Sequence, residues 1–385
     1  MSFHQHTALI VLLTAASLQA ENLSEIEEDS PLDADKYSLA DRIRLSLGGS
    51  LDVLGMTAFG SDGGDTALGT DFTLRLSKPI LLPVVDETLS FHARVRYRSA
   101  IGPTAPSALG SEIGAAWGVV DGFNDAGFEV PDFYFSQLIP SKNIEIRYGQ
   151  MVIDSQFDGQ GVGGAKETFQ NRAFSAHPAA AFPRLGAGLT IAWDPENAWD
   201  FAFGVTTVQG TASSEQVDFT FNSSDLFTVA QVGYEFRPKS EGLQRLQMAV
   251  WHSDAVETDD PNNVLGSGQG TSITYEYSLT PPDSENEITG FTRLAWASGS
   301  ATDASFLLVS GAITDICPRN HIGLGAGIGR GEANKNWQGV IEAFYRYKFQ
   351  KHGEVSLNAQ LLAGQGFVDD SAIRMIIGAG ARVSF

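Results

Sequence analysis

The sequence has almost no cysteine and no long apolar segment. Cys317 is the only cysteine among 385 residues, so no internal disulfide can form. No run of 18 apolar residues occurs in the chain, which excludes membrane-spanning helices. If such a chain lies in a membrane, it must form a closed β-barrel, because a barrel is the only other structure that satisfies every backbone polar group in lipid.

Basic residues are also scarce. The chain has 25 Lys and Arg against 46 Asp and Glu, which gives a formal net charge of −21. This charge would repel the phosphate backbone of a nucleic acid, so we expect no nucleic-acid partner. Acidic external loops are compatible with a lipopolysaccharide layer bridged by divalent cations. Outer-membrane lipid and lipopolysaccharide are therefore the expected surroundings.

Catalytic and metal-binding patterns are missing. His177, His252, His321 and His352 stand singly, without a metal-ligand spacing such as H-x-x-x-H, and no G-x-S-x-G motif occurs. Ser253 follows His252, but neighbours on a strand point to opposite faces, which separates the pair. We predict that the protein is not an enzyme and needs no cofactor or metal.

The strongest pattern that is present is the alternation of apolar and polar residues. In the last segment, 373–385, Met375, Ile377 and Val383 alternate with small or polar residues, and the segment ends on Phe385. A period of two predicts a strand with one apolar and one polar face. A final strand closed by Phe at a membrane interface is typical of bacterial outer-membrane barrels, although the last strand of a soluble sandwich has the same alternation.

About 16 such segments follow one another, and the connections between them alternate in length. The short connections include 139–142, 194–198 and 237–240, and the long ones include 99–131, 151–188 and 207–226. Outer-membrane barrels have short periplasmic turns and long external loops, whereas a soluble sandwich has no reason to alternate them. We predict an all-β fold, a transmembrane antiparallel β-barrel of about 16 strands over residues 42–385.

The N-terminal residues indicate export. Residues 1–20 resemble a signal peptide cleaved after Ala20, with an apolar run too short to span a bilayer. Its first residues carry histidine in place of the usual Lys or Arg. Residues 21–41 contain eight acidic side chains. We interpret them as a solvated periplasmic segment, with a plug or a partner-binding segment as the alternative.

A row of basic side chains is the most informative interior feature. His92, Arg94, Arg96 and Arg98 lie on the face opposite Phe91. Arginine on the lipid face costs about 2–4 kcal/mol near the midplane, so these side chains should face water inside the barrel. The same parity predicts that the pore lining, and the contacts to solutes, include Asp52, Arg75, His92, Arg94, Arg96, Arg98, Glu145, Arg147 and Arg346.

Arginine donors and carboxylate acceptors together can replace the hydration shell of a polyhydroxylated solute. Rings of charged side chains also set which solutes pass a pore. The alternative is that these charges only pair across the lumen and brace its wall. The residue pattern leaves both interpretations open.

The long connection 151–188 is predicted to fold inward and to narrow the pore. Its glycines at 159–164 match G-x-G-x-x-G, but no strand-helix unit surrounds them, so we interpret the match as chance. A second set of glycines occupies alternate positions of one later strand. They predict a smooth interior strip against which the inserted loop lies, formed by Gly323, Gly325, Gly327 and Gly329.

Several segments resemble the carbohydrate-selective, OprB-type porins. They are I-E-I-R-Y-G-Q at 144–150, Q-N-R-A-F through Pro178 at 170–178, F-P-R-L-G-A-G-L at 182–189, W-D-F-A-F-G-V at 199–205, H-I-G-L-G-A-G-I at 321–328 and I-E-A-F-Y-R-Y at 341–347. The order and spacing of the segments carry this resemblance over roughly 44–385. It implies sixteen strands, passive uptake of glucose and other sugars, and a constriction with inward loops and arginines. Arg94, Arg96 and Arg98 look similar to that lining.

We therefore predict an outer-membrane porin for passive diffusion of small carbohydrates. One alternative is an anion-selective porin for organic acids or phosphate. Another, of a different class, is a barrel that does not transport, such as an adhesin or a hydrolase. The preferred sugar and the oligomeric state stay open, with a homotrimer among the candidates.

Overall fold

The structure, a computed structural model, covers most of the predicted barrel. It describes residues 45–385 except 61–64, 82–87, 158–163, 184, 196, 209–216, 218, 220–224, 239–241, 256–265, 282–283, 285, 334, 350 and 365–372. The predicted signal peptide 1–20, the acidic segment 21–41 and Gly159 and Gly161 lie outside the described residues.

Sixteen antiparallel strands form one closed barrel, in which each strand pairs with the next along the chain and β16 pairs with β1. This confirms the predicted fold class. The strands are β1 Ser46–Phe59, β2 Asp65–Leu81, β3 Thr88–Ala100, β4 Gly127–Ile139, β5 Ile144–Met151, β6 Gly186–Trp193, β7 Trp199–Thr207, β8 Leu226–Arg237, β9 Gln244–Ser253, β10 Gly268–Ser278, β11 Ile288–Gly299, β12 Ala304–Cys317, β13 Asn320–Gly331, β14 Trp337–Lys348, β15 Gly353–Gly364 and β16 Arg374–Ser384.

Alternation along each strand separates the outside of the barrel from its interior. On β14, Ile341 and Tyr345 are exposed on the outer surface, while Glu342, Phe344 and Arg346 between and beyond them are buried inside. The same alternation on the other strands gives an outer surface rich in exposed Leu, Ile, Val, Phe and Trp. Such an apolar band is what a lipid bilayer requires of a barrel.

The two ends of the barrel differ in their connections. We call the end that carries Ser46 and Phe385 the termini end, and the opposite end the loop end. Most connections at the termini end are short, such as the 3-10 turn Pro140–Lys142, although 279–287 is longer. At the loop end, the connections 101–126 and 152–185 are long, as predicted, whereas 300–303 is short.

The two long connections carry the only α-helices within the described ranges. They are α1, Pro106–Glu112, and α2, Arg172–Ser175. The side chain of Asn171 caps α2 by accepting a 3.0 Å hydrogen bond from the backbone N–H of Ala173. Among the residues described, no helix is long and apolar enough to cross a membrane.

Both long connections fold back into the barrel and form an apolar cluster there, which we call the loop core. Connection 101–126 contributes Leu109, Ile113, Trp117, Val119, Val120 and Phe123; connection 152–185 contributes Ala165, Phe169, Ala173, Phe174 and Ala179; and the barrel wall contributes Leu54, Met56, Ala58, Ala67, Phe291, Ala295, Ala304, Leu307, Val309, Val340, Phe344, Leu362 and Ile376. Burial of this apolar surface away from lumen water stabilises the inserted position. The prediction that 151–188 folds inward is confirmed, and 101–126 joins it.

Candidate functional site: the barrel lumen

The predicted glycine strip receives the inserted loops. A Cβ added at Gly325 would lie 2.9 Å from Cε1 of Phe174 and 3.1 Å from Cε1 of Phe169. A Cβ at Gly329 would lie 2.8 Å from Cζ3 of Trp117. These separations are below ordinary carbon contact, so only glycine lets the aromatic rings lie so close to the wall. The prediction that the loops lie on this strip is thus confirmed at Gly325 and Gly329, whereas a Cβ at Gly323 or Gly327 would meet the wall side chains of Phe344 and Val309.

Glu342 anchors the loop core to β14. Its carboxyl oxygens accept hydrogen bonds from the backbone N–H groups of Gln170, at 2.6 Å, and Asn171, at 2.9 Å. The side chain of Asn358 donates a third hydrogen bond to it. All of these groups are buried. Without the carboxyl group, two buried N–H groups would lose their acceptor, which is costly away from water.

Arg346 lies further along β14 on the same face as Glu342. It anchors the same loop by binding the loop's backbone carbonyl groups. Its guanidinium donates to the backbone oxygens of Ala165 and Thr168, both at 2.9 Å, and to that of Lys166. It also donates to the Glu354 carboxylate at 2.8 Å. A rigid five-donor guanidinium suits this convergence of oxygens. Arg346 therefore faces the interior, as predicted, but both of its terminal nitrogens donate to protein oxygens.

A cavity of about 460 Å³ remains open at the termini end of the lumen. We call it the basic cavity. Its charged and aromatic lining consists of Arg75, His92, Arg94, Asp132, Tyr134, Arg382 and Phe385. This volume lies within the range of small-molecule sites, which is about 300–1,000 Å³. The cavity thus brings together Arg75, His92 and Arg94, three of the predicted pore-lining residues.

Exposure along the basic row of β3 decreases towards the loop core. The exposed fraction of the side chain is 22% for Arg94, 16% for Arg96 and 5% for Arg98. Arg98 contacts Glu129 at 3.0 Å and Asp71 at 3.5 Å. The row therefore leads from the open cavity to a buried ion-pair network, and only its beginning meets lumen water.

A β-bulge supplies the carboxylates that face this row. Between Arg94 and Arg96, Val95 of β3 lies opposite two residues of β4, Val130 and Pro131, so that Arg94 pairs with Asp132 and Arg96 with Glu129. Pro131 lies in the bulge, where its missing N–H costs no ladder hydrogen bond. Strict alternation would put residues 129 and 132 on opposite faces. The extra residue turns both inward, and ion pairs form at 2.7 Å (Arg94–Asp132) and 3.1 Å (Arg96–Glu129).

An aromatic corner borders the basic cavity. The rings of His92 and Tyr134 stack with centroids 4.8 Å apart, and His92 Nε2 lies 2.9 Å from the hydroxyl oxygen of Ser136. The guanidinium carbon of Arg147 lies 5.8 Å from the centre of the Tyr134 ring. Arg147 also donates two hydrogen bonds of 2.9 Å to Glu145. Glu145 and Arg147 thus hold each other beside the cavity.

The nine predicted lining residues divide into two groups. Asp52, Arg98 and Arg346 face inward but are buried, since they lie in the network beneath the loops. A solute in the lumen does not reach them in this structure. The other six keep contact with lumen water, and they are Arg75, His92, Arg94, Arg96, Glu145 and Arg147.

Sequence reasoning missed other residues at this site. Arg382 lies on the polar face of the last strand, and its parity was the signal that would have included it. Lys166, from the inserted loop, bridges Asp52 at 3.1 Å and Asp71 at 2.8 Å. No strand periodicity could reveal Lys166, because its position depends on how the loop folds.

Asp154, in the 3-10 turn Ile153–Gln156, is a carboxyl group of the inserted segment whose pKa is shifted. It stays accessible to water but is closely surrounded by protein, and this desolvation raises the pKa of its carboxyl to about 6. The negative charge of Asp121 adds to the rise, while Arg94 opposes it. Asp154 therefore changes its charge near neutral pH, within the field of the basic cavity. In the part of the chain that the structure describes, no group of three His, Cys, Asp or Glu residues could hold a metal ion.

The structure is similar to solved structures of outer-membrane proteins. It matches the high-pH structure of Pseudomonas putida OprB with a TM-score of 0.71 and 14% identity, over 90% of this chain and 95% of that one. An anion-selective porin from Comamonas acidovorans matches with a TM-score of 0.52 and 13% identity, over 89% and 100% of the two chains. Outer-membrane expressed OmpT of Vibrio cholerae matches with a TM-score of 0.55 and 8% identity, over 92% and 100%.

No protein-family model matches the sequence, and no curated protein matches it. The resemblance to OprB-type porins is therefore confirmed at the level of the fold. The chain has the sixteen-stranded fold of bacterial outer-membrane porins.

Proposed function

We propose that this protein is a porin of a bacterial outer membrane through which small carbohydrates diffuse passively. The basic cavity carries the proposal. Guanidinium donors, the Asp132 carboxylate and the hydroxyl of Tyr134 line it, and these groups can exchange hydrogen bonds with sugar hydroxyls as water does. The contacts are weak and multiple, so a solute can enter and leave. Transport of this kind needs no covalent chemistry and no cofactor.

The apolar band outside the barrel supports the membrane location. The loop core supports a narrowed rather than a wide pore, because it fills part of the lumen beside the basic cavity. Selection by hydrogen bonding requires such narrowing, since a solute must touch the wall to be recognised.

A second candidate is an anion-selective porin for organic acids or phosphate. The observation that favours it is the accumulation of arginines around the cavity, three of which lie in its lining. One structurally similar protein is named as anion-selective. Both candidates require a conducting channel, whereas a non-transporting barrel such as an adhesin or hydrolase does not.

Single-channel recording of the refolded protein in a planar bilayer tests these alternatives, with glucose, maltose and phosphate added in turn. The carbohydrate channel predicts a conducting pore and saturable block by a sugar. In that case Arg94→Ala and Arg96→Ala should weaken the block. Block by phosphate alone would support the anion channel, and a protein that inserts without conducting would overturn the porin proposal.

A further inference from the structure

Arg75 differs from the other cations of the lumen wall around the basic cavity. Among the residues that the structure describes, no hydrogen bond or ion pair involves its side chain, which is exposed to the lumen. Its neighbours are paired: Arg94 contacts Asp132 at 2.7 Å, and Arg382 contacts Asp52 at 3.4 Å. One guanidinium in the cavity thus retains all its donors for a ligand.

The charges around Arg75 favour the binding of an anion beside it. Arg94 and Arg382 are its strongest electrostatic neighbours, and both repel it, while Glu167 and Asp132 attract it more weakly. Arg94 pairs with Arg75 across the β2–β3 ladder, so backbone register holds the two cations side by side. Like charges directly opposite on neighbouring strands are unfavourable. An anion placed between them relieves this repulsion.

The rest of the cavity offers hydrogen-bonding groups of a different kind. Asp132 accepts hydrogen bonds, the Tyr134 hydroxyl both donates and accepts, and Ser77 and Ser384 add hydroxyls at the rim. These groups suit alcohol functions rather than a second charge. The chemistry of the cavity therefore calls for one anionic group and several hydroxyls on the same small molecule.

We propose that the basic cavity binds polyhydroxylated monocarboxylates, that is, sugar acids of the aldonate or uronate type. The carboxylate lies on Arg75, whose planar fork matches a carboxylate with two parallel hydrogen bonds, and Arg382 lies beside it. The hydroxyls exchange hydrogen bonds with Asp132 and Tyr134. This inference rests on the proposed channel function and names the solute class that its lumen prefers.

The structure favours this class over the simpler ones. A neutral sugar leaves Arg75 beside two like charges without a counter-charge. A simple carboxylate such as acetate satisfies Arg75 but leaves the hydroxyl-binding groups to water. A phosphate dianion carries two negative charges, but only one cation of the cavity lacks a partner. The second negative charge would lie close to the carboxylate of Asp132, which repels it.

Concentration-dependent block of single channels tests the proposal, with gluconate, glucose, acetate and inorganic phosphate as probes. Gluconate should block at the lowest concentration. Arg75→Gln should weaken gluconate block about tenfold, since a charge-assisted hydrogen bond to a carboxylate is lost. Its effect on glucose block should be much smaller. Arg75→Lys keeps the charge but loses the fork, so it should fall between the wild type and Arg75→Gln.

Arg245→Gln is the matched control. Arg245 is also an interior arginine, but it lies on β9 and contacts Asp200 at 3.0 Å, outside the cavity lining. It should leave gluconate block unchanged. Equal loss in Arg245→Gln and Arg75→Gln would show a general effect of lumen charge and would overturn the proposal.

The other possible outcomes also decide whether the proposal holds. Acetate that blocks as well as gluconate would remove the role of the hydroxyls, and phosphate that blocks better would assign Arg75 to inorganic anions; either result overturns the proposal. A conducting, glucose-blocked channel without preference for gluconate would overturn this inference alone. Absence of conductance would instead overturn the channel function on which it rests.

Discussion

The loop core and the basic cavity occupy the same barrel and obey the same alternation, yet they use inward-facing residues in opposite ways. Beside the loop core, charged side chains of the wall such as Glu342 and Arg346 are buried and bound to loop backbone. In the basic cavity, Arg75 and Arg94 keep contact with water. The parity of a residue therefore tells which face it occupies, but not whether a solute can reach it.

The two regions differ because different groups cover the inner wall of the barrel in each. Where β13 carries alternate glycines, aromatic rings of the inserted loops lie against it and exclude water. Around Arg75 and Arg94, by contrast, the described lining of the basic cavity includes no residue of the inserted loops. A charged residue beneath a loop must be paired with groups of the loop or of the wall, since burying it unpaired costs several kcal/mol. A charged residue beside the cavity is solvated and remains available for a solute.

The largest effect is expected where the carboxyl group that anchors the loop core is removed. Glu342→Ala leaves two buried N–H groups without an acceptor, and we expect the free energy of unfolding to fall by about 3 kcal/mol. Because the same bonds hold the loop in the lumen, the single-channel conductance should also rise. Urea unfolding of the refolded protein in detergent and conductance recording measure the two quantities.

Glu145→Ala is the matched change beside the basic cavity. Glu145 is partly exposed and bonds only to Arg147 among the contacts described here, so its loss should cost less than about 1 kcal/mol. Because this change releases no loop, the single-channel conductance should stay the same. If the two Glu→Ala variants lost the same stability, the distinction between the two regions would be wrong.

A smaller loss is expected from filling the glycine strip. Gly325→Val places a branched side chain where Phe174 and Phe169 already lie within about 3 Å of the Cβ position. Overpacking of this kind costs about 1–3 kcal/mol or displaces the loop. Gly339→Ala is the control on the outer face of β14, where a Cβ meets nothing nearer than 3.7 Å. Unfolding free energies that fall equally in both variants would argue against loop contact as the reason for the strip.

How much of this could be predicted from the sequence differs between the two regions. Alternation alone predicted sixteen strands, the inward face of Arg75 and the glycine strip, because each depends on a period of two within one strand. The carboxylates opposite the basic row could not be predicted this way. Glu129 and Asp132 differ in parity, and only the bulge at Pro131 turns both inward.

Strand periodicity also could not predict which inward-facing residues a solute can reach. Arg346 and Arg94 occupy equivalent inward positions, but a loop folded from a distant part of the chain covers one and leaves the other open. The position of such a loop is decided by packing against several strands at once. A pattern read within one strand contains no information on it, although Pro131 inside a strand does indicate a bulge.

The smallest effect concerns Asp154, which belongs to the inserted segment but faces the charges of the basic cavity. Because its pKa is raised to about 6, the carboxyl is neutral below about pH 6 and negative above it. An unfolded chain loses this proton near the ordinary pKa of 3.8, so the free energy of unfolding falls as the pH rises from about 4 to about 6. In the channel, the new negative charge should raise the preference for K⁺ over Cl⁻ as the pH passes from about 5 to about 7.

Reversal potentials in a KCl gradient measure this preference and separate the groups involved. Asp154→Asn should remove the step near pH 6, since no carboxyl remains to titrate. Asp121→Asn should instead move the step to lower pH, because it removes the like charge that helps to raise the pKa of Asp154. Arg94→Gln should move it to higher pH, since Arg94 favours the ionised form. A step that stays at the same pH in both Asp121→Asn and Arg94→Gln would mean that the loop segment and the basic cavity are not electrostatically coupled, and the two regions would then act independently.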